Sequence, residues 1–138
     1  MLLDKDSGIP YCPTPAYFLG GFDIYDREET LGTELETYNL EDPKDRIELI
    51  EKYCLNRHKN LSYRHKFVLL KSLENALLDK KFDFNKLLED DPEEYSSLPS
   101  GWNEMKNPKA FFEEILRLAS EKWKSDLAKA SIEDPSTW

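Results

Sequence analysis

The sequence predicts a mainly α-helical, compact single-domain fold, on three observations. Residues 43–59, 62–80 and 107–129 each repeat apolar side chains at steps of three and four. Each stretch opens on a residue suited to cap a helix N-terminus: Asp42, Ser62 and Asn107. The chain has 138 residues, 39% of them hydrophobic, with seven Phe, seven Tyr and three Trp; that suffices for one buried core but not for two ordinary domains. Residues 1–138 therefore form one domain, with 1–42 the segment whose elements stay open and 132–138 a short tail.

Pro10, Pro13 and Pro15 exclude a long helix before Thr14. Thr14 and Pro15 suit the start of a short helix through AYFL, while AYFLGGFDIY reads equally well as two short strands broken by a turn. In TLGTELETYN, Leu31, Leu35 and Tyr38 have helical spacing, and Gly32 works against it. The N-terminal third thus adds either short helices or short strands.

From Pro43 the pattern is plainer. Asp42 caps, Pro43 takes the first-turn position where its missing donor costs little, and Asp45 places negative charge at the helix N-terminus. Ile47, Ile50, Cys54, His58 and Leu61 form one face, with Glu48 and Lys52 one turn apart on the wet side. After Ser62, the stripe Tyr63, Phe67, Leu70, Leu73 and Leu77 is widened by Val68, Leu69, Ala76 and Leu78, which predicts a central helix touching several neighbours. A minor helix is expected at NKLLED, before Pro92, Pro99 and Gly101 break the chain. The last helix starts at Asn107 and Pro108; Phe111, Ile115 and Leu118 line one side, with Phe112, Leu116, Ala119, Trp123 and Leu127 beside them. Glu113 and Arg117 form a second one-turn pair. Trp138 is expected to pack back on the core.

Charge is segregated. The net charge is −9, and residues 1–42 carry ten acids against two bases, whereas residues 43–81 carry five acids against ten bases. Long-range attraction to a phosphate backbone or an anionic membrane is opposed, and a basic partner is favoured. Without a basic leader before an apolar run or a membrane-length apolar stretch, the chain reads as cytoplasmic. Cys12 and Cys54 read as free thiols.

Motifs for chemistry are absent. LEDDPEEY, residues 88–95, holds five carboxylates, but a calcium loop needs its ligands spread over about twelve residues around a central glycine. Asp91, Pro92 and Glu94 fit a helix cap instead. Neither His58 nor His65 lies in HExxH, the cysteines form no CxxC, and LGGF has no phosphate-cradle spacing. Cys54 sits where a small buried residue is expected. RHKNLSYRHK, with Lys71, Lys80 and Lys81, is the one concentrated basic stretch; a nucleic-acid patch with Tyr63 stacking competes there with a solvated helix junction. No catalytic, cofactor-binding or metal-ligating residue is assigned, no cofactor is expected, and neither direct nucleic-acid binding nor membrane association is expected.

DREETLGTELE, LEDDPEEY and the helical NPKAFFEEILRLASEKW give the chain the character of an acidic helical binding protein. In that character it resembles the bacterial immunity proteins that neutralise basic nuclease toxins, including those of contact-dependent inhibition systems. The resemblance implies a non-catalytic, stoichiometric inhibitor that forms a one-to-one complex with a cognate toxin. The partner-binding candidates are Asp26, Glu28, Glu29, Glu34, Glu36, Glu89, Asp90, Glu93, Glu94 and Tyr95. An acidic adaptor or complex subunit, and a small enzyme using paired carboxylates, are the alternatives.

Overall fold

The two best-signalled helix starts are capped as the sequence predicts. Asp42 accepts the Lys44 backbone N–H at 3.0 Å, and Asn107 Oδ1 accepts that of Ala110 at 3.2 Å. The structure, a computed structural model, describes residues 1–89, 97–99 and 101–138. Its α-helices in chain order are α1 (Thr33–Leu35), α2 (Pro43–Leu49), α3 (Tyr63–Leu78), α4 (Pro108–Lys122) and α5 (Lys124–Ser131).

The open choice in the N-terminal third resolves towards helix. Pro15–Phe22 is a 3₁₀ helix, and Glu28–Gly32 is a π-helical turn that runs directly into α1. Among the described residues the only extended pairing is the isolated bridge between Leu3 and Pro10, so no small sheet forms there.

Helix α2 does not stop at Leu49. It continues through a π-helical segment, Ile50–Leu55, and a 3₁₀ turn, Asn56–His58, filling the span expected for the first helix. The wider π turns shift the phase of the buried face. Leu49 and Leu55 are therefore buried with Ile50 and Cys54, although an uninterrupted 3.6-residue repeat places them off that face.

Ser62 caps α3 by accepting the His65 N–H at 3.2 Å, and α3 packs against α4, α5 and the Pro15–Phe22 helix, as its broad stripe requires. Leu69, Leu70, Leu73 and Ala76 are buried, whereas Leu78, the last residue of α3, is exposed. The expected minor helix is the 3₁₀ segment Phe84–Leu88. The cap expected at Asp91, Pro92 and Glu94 lies outside the described residues.

The last helix differs from expectation in one respect. It is two helices, because Trp123, at φ −100° and ψ 17°, leaves the helical region between α4 and α5. The break lets Trp123 stay buried while α5 turns across α3. Phe18, Phe22, Phe111 and Phe112 are fully buried at the centre, and the Phe22–Trp102 and Phe84–Phe112 ring centroids lie 4.8 and 4.9 Å apart. Each such ring contributes about 1.5–3 kcal/mol by burial. Trp138 is buried as expected, edge-on to Phe67, with its indole N–H donated to Glu133 at 3.1 Å.

Candidate functional site

The acidic segment DREETLGTELE is held by the turn that leads into it from Asp23. Asp23 Oδ1 accepts the Tyr25 N–H at 3.0 Å, and the Arg27 guanidinium closes back onto the Asp23 carbonyl. Asp26 takes a left-handed conformation, φ 59°, which Asp tolerates better than most residues. Ser97 docks from a distant part of the chain: its N–H reaches Asp23 Oδ1 at 2.9 Å, and its carbonyl accepts the Ile24 N–H at 2.8 Å. Asp26, Glu28, Glu29, Glu34 and Glu36 all emerge exposed beyond this anchor. Glu89 is also exposed, while Asp90, Glu93, Glu94 and Tyr95 lie outside the described residues.

Glu34 is the carboxylate that the fold ties to another element. It accepts the Tyr53 hydroxyl and, at 3.1 Å, the Lys52 ammonium, so α1 is fastened to the π-helical segment Ile50–Leu55. The Tyr53 hydroxyl first, and Lys52 second, hold the Glu34 carboxyl below its ordinary range. Burial, then Glu34 and Tyr38, push Tyr53 well above the usual phenol range, and Glu34 raises Lys52. The Tyr38 hydroxyl donates to Glu48 Oε1 at 3.3 Å, and its ring stands edge-on to Tyr53 at 6.0 Å. The expected Glu48–Lys52 pair is therefore replaced by cross-element contacts that a one-helix rule cannot anticipate. Arg117, by contrast, stays within α4, pairing with Glu114 at 3.1 Å and reaching Glu121 at 3.8 Å instead of Glu113.

The surface charge follows from this arrangement. Residues 23–52 contain eleven acids and four bases, net −7 of the chain's −9. Among the described residues, no ion pair within 4 Å involves Asp26, Glu28, Glu29 or Glu36.

The basic stretch is occupied differently. Arg64 Nε and the Tyr63 hydroxyl both donate to Glu133, at 2.9 and 2.7 Å, and Lys129 lies 4.3 Å from the Tyr63 ring centre. Lys66 is buried, donates to Asp126 at 2.8 Å and lies over Trp123. Tyr63 is thus engaged at its hydroxyl and on its face, which leaves it poorly placed to stack on a base.

Both histidines fasten the N-terminal segment. His65 Nε2–H donates to the Leu3 carbonyl at 2.7 Å, so its Nδ1 accepts the Ser62 hydroxyl at 2.6 Å in the neutral ring. His58 Nε2–H donates to the Tyr17 carbonyl at 3.2 Å beside Phe18, and burial lowers its pKa. Desolvation pushes the Cys54 thiol far up, the reverse of nucleophile activation, and Cys12 is an exposed free thiol. Among the described residues, no group of three His, Cys, Asp or Glu side chains is placed to hold a metal ion, and no helix is long and apolar enough to cross a membrane.

Compared with protein-family models, curated proteins and solved structures, the chain matches none.

Proposed function

We propose that this chain is a non-catalytic binding protein that captures a basic protein partner in a one-to-one complex and neutralises it, the partner being a nuclease toxin. The observation that carries the reading is the segregation of charge: net −7 within residues 23–52, with Asp26, Glu28, Glu29 and Glu36 exposed around the anchored turn at Asp23. Carboxylates so placed speed encounter with a cationic cleft and raise the cost of a wrong, acidic partner. The fastened Glu34, Lys52 and Tyr53 support a preorganised surface, because their side chains are held by mutual hydrogen bonds. The toxin assignment rests on the acidic, helical character shared with nuclease-immunity proteins.

The test is to identify the protein that copurifies with this chain or is encoded beside it, and to assay that partner's activity as this chain is titrated in. Inhibition complete at one equivalent supports the proposal. Neutralising Glu28, Glu29 and Glu36 to Gln together is expected to slow association about ten-fold at low salt, with a smaller effect at high salt. A stable complex that leaves the partner's activity intact supports an adaptor instead.

A further inference from the structure

Residues 132–138 lie against the first turns of α3 as a strap that meets it through two side chains. The backbone hydrogen bonds of this segment are local: Glu133 N–H to Ala130, Thr137 N–H to Asp134 and Trp138 N–H to Pro135. Ile132 and residues 134–137 are exposed, which leaves Glu133 and Trp138 as the contacts. Glu133 joins them. Its Oε2 accepts the Tyr63 hydroxyl at 2.7 Å, and its Oε1 accepts Arg64 Nε–H at 2.9 Å and the Trp138 indole N–H at 3.1 Å. The Tyr63 hydroxyl first, and Arg64 second, hold the Glu133 carboxyl below its ordinary range. Trp138 stands edge-on to Phe67 at 5.8 Å, with the Arg64 guanidinium 5.5 Å from its ring centre. Neither Trp138 nor Phe67 belongs to the contiguous core that unites Phe18, Leu73, Phe112 and Trp123, so the pair is a satellite cluster.

We propose that this strap opens away from α3 while the rest of the fold stays closed, with Glu133 as its catch. Regions that open short of global unfolding have few buried apolar contacts and exposed backbone hydrogen bonds, and the strap has one buried side chain and local backbone bonds alone. The main core loses no member when the strap opens, because Phe67 and Trp138 pack together outside it. Opening frees the Tyr63 hydroxyl and the Arg64 guanidinium and bares Phe67. Tyr63 and Arg64 belong to RHKNLSYRHK, the one concentrated basic stretch of the chain, which the closed strap caps with a carboxylate and an indole. The strap therefore decides whether that end of the stretch presents a free cation beside two aromatic rings or a neutralised, covered surface. Glu133 controls it because one carboxylate takes three donors, and hydrogen bonds to a charged acceptor are about twice as strong as neutral ones. Nothing in this device depends on the nature of the partner.

Hydrogen exchange of the isotope-labelled full chain, followed by NMR, tests the strap. The readouts are the Trp138 indole N–H and the backbone amides of Leu70 and Leu73, which are buried in α3. The expected result is that the indole opens at least about a hundred-fold more often than the α3 amides, and with little dependence on low urea, since opening the strap exposes little surface. Asp126→Ala breaks the ion pair with buried Lys66, which the open strap leaves intact. It is expected to speed exchange of the α3 amides about a hundred-fold and to leave the indole within about three-fold of wild type. Glu133→Gln is expected to speed exchange of the indole at least about ten-fold. An indole that exchanges in step with the α3 amides, in urea and in Asp126→Ala, would overturn the proposal, as would an indole with no protection in the wild-type chain. An indole indifferent to Glu133→Gln would remove Glu133 as the catch.

Discussion

Glycine-to-alanine substitutions at Gly21 and Gly20 test how the Pro15–Phe22 helix meets the π-helical segment, and Gly32, in the Glu28–Gly32 turn, serves as a separate comparison. A Cβ on Gly21 would stand 1.9 Å from the Tyr53 carbonyl oxygen and 2.9 Å from its carbonyl carbon, and that neighbour is backbone inside a helix. The separation is more than an ångström below the closest tolerable approach, so one of the two helices has to move. Overpacking of this kind costs about 1–3 kcal/mol. For a chain of this size, each kcal/mol lowers Tm by about 3–4 °C, so Gly21→Ala is expected to melt about 3–12 °C below wild type by circular dichroism. Gly20 is the matched control. Its Cβ would meet the Arg57 guanidinium at 3.1 Å, a flexible group that turns aside, so Gly20→Ala stays within about 0.5 kcal/mol of wild type. Gly32 lies at φ −59° and ψ −44° with only ordinary contacts to Ile24, so Ala there gains about 0.4–1 kcal/mol by restricting the unfolded chain. A Gly21→Ala protein that melts at or above the wild-type temperature would refute the close approach.

Three further outcomes follow from the buried groups. The Lys66 side chain is 9% exposed and that of Asp126 40%. Asp126→Ala is therefore expected to cost about 3 kcal/mol in urea unfolding by stranding a buried cation, and Lys66→Met about 1 kcal/mol, because Asp126 regains water; equal costs would contradict the asymmetry. The pKa of His58 is lowered in the folded state, so as pH falls below about 6.5 the unfolded chain binds the proton first and stability declines. His58→Gln should flatten that slope, and an unchanged slope would remove His58 as its source. A thiol-specific reagent should modify Cys12 at once and Cys54 only at the rate of unfolding, since Cys54 is fully buried with its thiol pKa pushed up; prompt labelling of two thiols in native protein would contradict this burial.

The elements that could be read from sequence are those decided locally. Asp42, Ser62 and Asn107 sit before apolar repeats and each caps its helix through its own side chain, within three residues. What stayed hidden depends on phase or on distance. The π-helical turn at Ile50–Leu55 adds no composition signal, yet it rotates Leu55 inward. Trp123 fits the apolar stripe, yet it leaves the helical region at φ −100° and ψ 17°, and α5 beyond it packs across α3. Lys66 looked like part of a solvated basic run, because its partner Asp126 lies sixty residues away.

The candidate surface divides along the same line. That residues 26–36 are acidic is visible in the letters; that Glu34 differs from its neighbours is not. Glu28, Glu29 and Glu36 point to solvent, whereas Glu34 is drawn to Tyr53 and Lys52, nearly twenty residues on. Its role is therefore positional: it holds the acidic segment beside the π-helical segment Ile50–Leu55. Removing that carboxylate and removing Glu28 subtract the same charge, but they have different consequences for binding. On the proposed reading, Glu28→Gln is expected to weaken steering with an effect that fades in salt, whereas Glu34→Gln is expected to free Lys52 and loosen the link between α1 and the Ile50–Leu55 segment. The expected signature of Glu34→Gln is a faster dissociation rate that persists at high salt, measured by surface plasmon resonance against the natural partner. A Glu34→Gln variant that changes only the association rate, and recovers fully in salt, would show that the link contributes charge and nothing more.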